Sequence, residues 1–153
     1  MPKITSDYIE VHICLAENNE YKFLLLKRSE TTKIYPGIWQ MVTGKIEEGE
    51  STSDAVKREL SEETGIKAER LYVIPKINSF YFAASDKIML SPVFLVMVKN
   101  TNVTISDEHC EYKWVSYEEA TGLIYWPNQV ESLSIIMRQL KHRELFEKLP
   151  EIK

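Results

Sequence analysis

The sequence predicts an α/β or α+β fold in which helices cover both faces of a mixed β-sheet. Segments rich in β-branched and aromatic residues are spread along most of the chain, as expected for strands. Two other segments have their apolar residues at helical spacing, and strands stand between them. The 153 residues include no repeat, low-complexity tract or linker, so we expect a single domain over residues 1–153.

The first third of the chain predicts a β-hairpin followed by a loop. Tyr8–Ala16 alternates between apolar and polar residues, Glu17–Glu20 forms a turn, and a second strand follows. That strand, Lys22–Arg28, is apolar until it ends in two cations. Thr31–Trp39 contains Pro-Gly and is expected to be a loop, and Gln40–Thr43 a short extended segment.

The next segment predicts a helix over Thr52–Thr64. Ser51 is a residue type that caps helix amino termini, and its spacing from Asp54 is that of a capping box. Gly65 stands where a glycine commonly ends a helix in the left-handed conformation. Both ends of this helix are therefore expected at defined residues.

The second half of the chain predicts a strand pair, a short strand and a second long helix. The strands are expected at Leu71–Phe82, Ile88–Val98 and Lys113–Val115, and Tyr117–Gly122 as one or two helical turns. Pro127 suits the first position of a helix. After it, apolar residues recur at helical spacing: Val130, Leu133, Ile136, Met137 and Leu140.

The composition argues against several classes of function. A formal net charge of -4 and the lack of basic clusters argue against binding to a nucleic acid polymer. The longest apolar run, Val93–Val98, is far too short to span a bilayer, and the first residues contain no apolar signal core. We therefore expect a cytoplasmic protein with no membrane partner.

The cysteines indicate the redox environment of the chain, and its oligomeric state stays open. Cys14 and Cys110 lie far apart without metal-ligand spacing, so we expect two buried thiols in a reducing compartment rather than a disulfide. The sequence leaves monomer and homodimer open. The segment 138–153 is expected either to cap a neighbouring copy or to fray.

Acidic residues occupy unfavourable positions on the predicted helix 52–64. With Ala55 as the origin, the core candidates Val56 and Leu60 lie about 100° and about 140° round the helix. Glu59 and Glu63 lie at about 40° and about 80°, inside this apolar arc. An unpaired charge at a buried position costs several kcal/mol, so these carboxylates need a partner.

The spacing of the glutamates adds to this conflict and indicates its solution. Glu59 and Glu63, like Glu59 and Glu62, are like charges one turn apart, which costs about 0.2–0.5 kcal/mol per pair. Glu62 and Glu63 also lie in the last turn, where the helix dipole disfavours anions. A divalent cation removes all of these penalties, and carboxylates suit Mg²⁺ or Mn²⁺. Because Mg²⁺ commonly combines a few carboxylates with substrate phosphates, the helix indicates phosphoryl chemistry.

The segment Gly44–Ile66 resembles the Nudix box without a mismatch. The match consists of Gly44, five residues, Glu50, seven residues and then the run Arg58–Ile66. The resemblance implies a Nudix-type α/β/α sandwich with a mixed sheet over the whole chain. It also implies hydrolysis of a nucleoside diphosphate linked to another moiety, with Mg²⁺ or Mn²⁺ as the cofactor.

The resemblance further implies a role for each matching residue. Glu59 and Glu63 would be metal ligands, and Glu62 a ligand or a group that assists the base. Glu50 would hold Arg58 in a salt bridge that braces the loop to the helix. Gly44 would let the backbone approach closely and offer its carbonyl to a metal.

Parts of the chain are also similar to one subgroup, the bacterial dihydroneopterin triphosphate diphosphatases, which also cleave dATP. The similarity covers Trp39–Glu50, Asp107–Val115 and the helix start Tyr125–Gln129. It implies that Glu108 joins the active site as an extra metal ligand or a base. Leu71–Val98 departs from the subgroup, because it is shorter and lacks a basic insertion. We therefore expect a pyrophosphohydrolase that cleaves a nucleoside or pterin triphosphate.

Several residues are candidates for substrate contacts. Arg28 is expected either to clamp a phosphate or to be an exposed strand end, and Lys45, one residue after Gly44, is a second candidate for a phosphate contact. Asn128 is expected either to read a ring edge or to cap a helix. The histidines are expected to have no role, except for His109 beside Glu108. The rings available to stack on a base are those of Tyr35, Trp39, Phe80, Tyr81, Phe82, Tyr125 and Trp126.

The sequence leaves other functions open. Within the same enzyme class, the substrate is alternatively a dinucleoside polyphosphate, ADP-ribose or oxidised dGTP. A non-catalytic module that binds a nucleotide is a further alternative, but such modules typically lose the glutamates of the box, and all are present here.

Overall fold

The structure, a computed structural model, describes all 153 residues and contains a nine-stranded mixed sheet with helices on both faces. The predicted α/β/α sandwich is therefore confirmed. The strands are β1 (Lys3–Thr5), β2 (Tyr8–Glu17), β3 (Glu20–Arg28), β4 (Trp39–Gln40), β5 (Val42–Lys45), β6 (Arg70–Phe82), β7 (Lys87–Val98), β8 (His109–Val115) and β9 (Glu151–Ile152). The helices are α1 (Thr52–Thr64), α2 (Tyr117–Leu123), α3 (Pro127–Lys141) and α4 (Arg143–Phe146).

The sheet is mixed because its central pair is parallel while most other pairs are antiparallel. The main strand order is β4-β3-β2-β7-β6-β9, with β2 and β7 parallel. The short strand β5 pairs with the beginning of β2, and β8 pairs with the edge of β3 opposite to the one that pairs with β2 and β4. The end of β3 therefore lies beside the start of β8, with Arg28 opposite His109, while α1 contacts β5 and β2.

Helix α1 begins and ends where the sequence predicts. The Oγ of Ser51 accepts a hydrogen bond from the backbone N–H of Asp54 at 3.2 Å. Gly65 adopts the left-handed conformation with φ of 70°, and its N–H donates to the carbonyl of Ser61. The two caps satisfy backbone groups that would otherwise have no partner, and they fix the register of the helix.

Two apolar cores lie on opposite faces of the sheet. On one face α1 buries Val56 and Leu60 against Ile9 and Val11 of β2. On the other face α3 buries residues such as Leu133 against a second apolar cluster. Because side chains of a strand alternate between faces, the even-numbered residues at the start of β2 face α3.

The carboxyl-terminal segment folds back onto the chain itself. Strand β9 pairs antiparallel with β6, joining Ile152 to Leu71 and Glu151 to Tyr72. Leu149 is buried in the α3-side core, so the expectation that this segment frays is wrong. The single proline, Pro150, and the charges at this end hid a short strand that depends on a non-local partner.

The cysteines differ from each other in their environment. Both are free thiols, which agrees with the expectation of no disulfide. Cys14 is buried, and burial raises its pKa to about 12. Cys110 is exposed on β8, so the prediction that both thiols are buried is wrong for this one. No helix combines the length and the apolar composition that crossing a bilayer requires.

Candidate active site

A glycine lets strand β5 lie directly against the glutamates of α1. Gly44 is opposite Ile9 in the pairing of β5 with β2. A Cβ placed on Gly44 would lie 2.2 Å from both Cγ and Cδ of Glu59. Only a residue without a side chain therefore allows this contact, which gives the glycine of the predicted motif a steric reason.

Arg58 connects the loop after β5 to two glutamates of α1. Its Nε and Nη2 donate to the two carboxylate oxygens of Glu50 at 2.7 and 2.9 Å. Its Nη1 donates to Glu59 at 2.6 Å and to Glu62 at 3.3 Å. Nη2 also donates to the carbonyl of Lys45 at 2.8 Å. One guanidinium thus fixes the position of the loop relative to the helix.

The bidentate pair keeps Glu50 charged. The hydrogen bond from Arg58, with a further one from the backbone of Glu47, lowers the pKa of Glu50 to about 2. The pKa of the Arg58 guanidinium is raised in turn, first by Glu50 and then by Glu59. At neutral pH the pair is therefore fully ionised and braces the site.

Glu63 is the carboxyl group in the least favourable environment. It is 5% exposed, and its Oε2 is buried without a hydrogen-bond partner. Burial, followed by the charges of Glu59 and Glu108, raises its pKa to about 9, and the charge of Arg28 opposes this shift. The side chain is therefore protonated at neutral pH unless a cation replaces the proton.

The other predicted metal ligands near Glu63 differ in exposure and in their charged neighbours. Glu59 is 12% exposed, and burial raises its pKa, although Arg58 acts against the shift. Glu62 is 59% exposed and is in contact with Arg58 alone among the charged groups. Glu108, in the turn before β8, lies close enough for its charge to act on Glu63. As the side chains stand, no three acidic, histidine or cysteine groups are gathered as a set that holds a metal ion.

The two predicted phosphate contacts are placed differently. Arg28 is partly buried at the end of β3, and its Nε donates to the carbonyl of Ile34 at 3.1 Å. Its charge acts on both Glu63 and His109, so it belongs to the same site. Lys45 is exposed next to Gly44, and its backbone carbonyl accepts a hydrogen bond from Arg58.

His109 lies buried between these groups. Neither of its ring nitrogens has a hydrogen-bond partner. Burial, and then the charge of Arg28, lowers its pKa to about 4, so the ring is neutral at physiological pH. His109 pairs with Arg28 across β3 and β8, and Glu108 precedes it in the chain.

The candidate stacking rings fall into separate groups. Tyr35, Tyr125 and Trp126 form an aromatic cluster with ring centroids 4.6–5.7 Å apart, in which both tyrosines are exposed and Trp126 is half-buried. Trp39 lies outside this cluster, half-buried, with the Nζ of Lys113 5.1 Å from its ring centroid. The remaining candidates, Phe80, Tyr81 and Phe82, are exposed at the end of the β6–β7 hairpin.

Asn128 is inside helix α3 rather than at its cap. Trp126 holds the cap position and provides no side-chain hydrogen bond, so the capping alternative for Asn128 is wrong. The Nδ2 of Asn128 donates to the carbonyl of Ser79 at 3.0 Å. This bond joins the first turn of α3 to β6 at an exposed position.

The sequence reasoning missed a buried polar cluster on the α3 side of the sheet. Glu10 and His12 of β2 are 4% and 0% exposed, and Asn78 of β6 is 5% exposed. His12 was expected to have no role, yet its Nε2 lies 2.6 Å from Glu10. Alternation of polar and apolar residues in β2 is typical of a solvent-facing side, and helix α3 covers that side here. No short-range pattern in the sequence marks these residues as buried, because their burial depends on the packing of α3.

The fold is an α/β/α sandwich, and the glutamates of the site lie on the helix of its strand–loop–helix unit, β5 to α1. Residues 9–136 match the NUDIX domain. The chain therefore belongs to the Nudix family, and it is a hydrolase of that family. Members of this family generally use divalent metals.

Three known proteins are similar to this chain in sequence or in fold. The nucleoside triphosphatase NudI of Salmonella paratyphi B is 28% identical over 115 residues, which cover 70% of this chain and 82% of NudI. The MutT protein of Methanosarcina mazei has the same fold with a TM-score of 0.74 at 30% identity, over 92% of this chain and 98% of that one. The dihydroneopterin triphosphate pyrophosphohydrolase of E. coli gives a TM-score of 0.70 at 23% identity, over 85% and 95%. The last similarity concerns the fold alone.

Proposed function

We propose that this chain is a metal-dependent pyrophosphohydrolase that cleaves a (deoxy)nucleoside or pterin triphosphate to a monophosphate and pyrophosphate. The observation that carries the proposal is the buried carboxyl group of Glu63, whose Oε2 has no partner. Burial, and then the charges of Glu59 and Glu108, raise its pKa. The similarity to the nucleoside triphosphatase NudI supports the same class of substrate.

The residues present fit a hard divalent cation such as Mg²⁺ or Mn²⁺. Their donor atoms are carboxylate and carbonyl oxygens, which these cations prefer. A cation would supply the missing partner of Glu63 Oε2 and remove the repulsion from its acidic neighbours. The groups that would hold it are Glu59, Glu62, Glu63, Glu108 and the carbonyl of Gly44.

The remaining chemistry is assigned to the chain's own side chains. When bound, the cation neutralises phosphate oxygens and makes a water more acidic. Arg58 holds Glu59 in place through the 2.6 Å bond, while Glu50 fixes Arg58. Glu62 or Glu108 accepts the proton of the attacking water, because both are exposed. The water adds to phosphorus, a phosphoanhydride P–O bond breaks, and pyrophosphate leaves.

Arg28 and Lys45 are assigned to the phosphate chain of the substrate. Arg28 is partly buried close to Glu63, where a cation is needed to balance the charge of a triphosphate. Lys45 is exposed beside Gly44 and adds a second positive charge at the edge of the site. Trp39 and Asn128 are assigned to the base or pterin ring.

A substrate panel with Mg²⁺ and Mn²⁺ tests the class of substrate. We expect release of pyrophosphate from one or more nucleoside or pterin triphosphates. Turnover of dinucleoside polyphosphates, ADP-ribose or oxidised dGTP alone would replace the proposed substrate by one of these. Tight binding of a nucleotide without turnover under either metal would indicate a non-catalytic module instead.

Glu63→Gln tests the role of the glutamate cluster. The amide keeps the shape of the side chain but cannot bind a cation as a carboxylate does, so we expect at least about a hundredfold lower kcat with the fold retained. Glu118→Gln, the same change on the exposed face of α2, is the control and should keep the wild-type rate. A Glu63→Gln enzyme that works at the wild-type rate would contradict the proposal.

We further propose that the enzyme is a single domain that acts in the cytoplasm on a small molecule, as a monomer or a homodimer. The net charge of -4 supports a small anionic substrate bound through a cation rather than a nucleic acid polymer. Sedimentation would decide between the two states of association.

A further inference from the structure

Strand β6 has an outer edge that is free along its second half. On one side β6 pairs with β7 from Ile77 to Phe82. On the other side β9 pairs with Leu71 and Tyr72 only, and no backbone group outside β7 bonds to residues 77–82. The backbone groups of such an edge are able to pair with a further strand.

A proline in β7 shows which residues of β6 direct their backbone groups to this edge. Pro92 is opposite Ile77 and has no N–H, so these two residues do not form a hydrogen-bonded antiparallel pair. Bonded and non-bonded pairs alternate, so Ile77, Ser79 and Tyr81 direct N–H and C=O away from β7. The carbonyl of Ser79 agrees with this direction, because it accepts a hydrogen bond from Asn128 Nδ2 at 3.0 Å. A carbonyl oxygen has two lone pairs, so the one on Ser79 remains able to accept from a strand.

The free segment of β6 lacks the residues that usually protect an edge strand. Residues 77–85 include no charged residue and no proline, and residues 77–82 read INSFYF. Charged side chains and prolines are what commonly keeps an edge strand from pairing with another chain. Strand β8, which pairs with β3 alone, is the contrast within this protein, because it carries Glu111 and Lys113. The edge of β6 is therefore open where the edge of β8 is protected.

Apolar side chains are exposed on both faces of the sheet at this edge. Phe80 and Phe82 lie on the face toward α3, and Ile77 and Tyr81 lie on the other face. Ile4 of β1 lies in the same cross-strand row as Tyr81, since both are opposite one residue of β7. Each of these five side chains is between 41% and 64% exposed. Exposed apolar patches of more than a few hundred Å² mark interaction sites.

The area of this patch is that of a small interface. At about 150–250 Å² for a complete aromatic side chain, the exposed parts of Phe80, Tyr81 and Phe82 amount to about 300 Å². With Ile4, Ile77 and the free backbone, two copies of the patch provide roughly 1,000 Å², which is the lower limit for a specific interface. An association through this edge is therefore expected to be weak and reversible.

We propose that two copies of this chain associate through β6, with residues 77–82 of one copy antiparallel to the same residues of the other. An antiparallel pair of identical segments has two-fold symmetry, so each outward N–H and C=O meets its counterpart. Because the segment carries no charge, it meets its own copy without the repulsion that like charges cause across strands. The second copy also brings an equal set of apolar side chains to both faces. The inference does not depend on the proposed catalysis.

Sedimentation equilibrium of the full chain tests the association. A weak interface of this size predicts a change from monomer to dimer between about 1 µM and about 500 µM protein. Tyr81→Lys places a cation within the pairing, and Ser79→Pro removes an outward N–H without removing a bond to β7. Each change should raise the Kd of the dimer at least about tenfold. A wild-type chain that stays monomeric at about 500 µM would overturn the inference.

Two matched variants separate the edge of β6 from general effects of substitution. Tyr112→Lys makes the same change at an exposed tyrosine of β8, and Ser79→Ala keeps the N–H that Ser79→Pro removes. Both should form the dimer with the wild-type Kd. Circular dichroism checks the fold of each variant, and Tyr81→Lys decides alone if Ser79→Pro fails to fold. A folded Tyr81→Lys chain with the wild-type Kd would contradict the proposed pairing.

Hydrogen exchange of single amides locates the contact. The amides of Ile77, Ser79 and Tyr81 should exchange more slowly at about 500 µM than at about 1 µM, because they then donate to the second copy. The amides of Asn78 and Phe80 bond to β7 in both states and should change less. A dimer in which exchange at Ser79 and Tyr81 does not depend on concentration would place the contact elsewhere and overturn the inference.

Discussion

One added methyl group at Gly44 tests how closely strand β5 is fitted to the glutamates of α1. A Cβ at this position would lie 2.2 Å from Cγ and Cδ of Glu59, whereas ordinary contacts begin at 3.4 Å. Glu59 therefore has to retreat by more than an ångström in Gly44→Ala. The atoms in contact are in the middle of the side chain, so rotation of its end alone does not relieve the overlap.

The size of the effect follows from this displacement. Overpacking of this kind costs about 1–3 kcal/mol, so the free energy of unfolding should fall by that amount. Glu59 also leaves its 2.6 Å contact with Arg58, and a shift of about 1 Å at a reacting group lowers the rate by about a hundredfold. Urea denaturation measures the first quantity, and initial rates with Mg²⁺ measure the second.

Two further variants show whether the overlap itself is responsible. Glu59→Ala removes Cγ and Cδ, so adding Gly44→Ala to it should cost no further stability. Gly122→Ala in α2 meets no atom within 4 Å and should be neutral or stabilise the protein by up to about 1 kcal/mol. If Gly44→Ala matches Gly122→Ala in stability and the wild type in rate, the steric argument is refuted.

Two other predictions follow from the charges of the site. Glu63 has its pKa raised from 4.5 to about 9, first by burial, so the unfolded chain gives up this proton first as the pH rises. In EDTA the free energy of unfolding should therefore fall between about pH 4.5 and about pH 9, and the fall should be smaller in Glu63→Gln, in which the raised pKa of Glu59 remains, as urea titrations at several pH values would measure. Glu50→Gln loosens Arg58 and should lower kcat by about tenfold to a hundredfold, while Glu151→Gln, at the remote pair with Arg70, should leave kcat unchanged. An equal effect of the last two changes would contradict the bracing role of Glu50.

The parts of the fold that the sequence predicted are those specified by local chemistry. Helix α1 is bounded by Ser51 and Gly65, whose side chain and φ of 70° satisfy the helix ends without help from distant residues. Strand β9 was missed because two residues near a chain end carry too little periodicity. It exists through its pairing with β6, some eighty positions away in the sequence. Of β8, the sequence predicted Lys113–Val115 alone, because His109 and Cys110 interrupt the β-rich pattern earlier in the strand.

The candidate site divides in the same way. Glu59 and Glu63 stood out because they break local rules for a helix, and the structure places them against the sheet. Glu10 and His12 break no local rule, because polar residues at alternate positions are normal on the wet face of a strand. Only the packing of α3 turns that face into an interior, and no short-range pattern contains this information.

The site lowers the pKa of Glu50 and raises the pKa of Glu63, and this difference is a reason to assign the two glutamates different roles. Arg58 keeps Glu50 ionised through two short hydrogen bonds. The guanidinium therefore balances the charge of this carboxylate and engages both of its oxygens. Glu63 has no cationic partner within hydrogen-bond distance and holds its proton because it is buried among acids. Under the proposed function, exchange of that proton for a divalent cation would satisfy the oxygen that the protein leaves unpaired. We therefore expect Glu50 to brace the site and Glu63 to bind the cation that holds a polyphosphate.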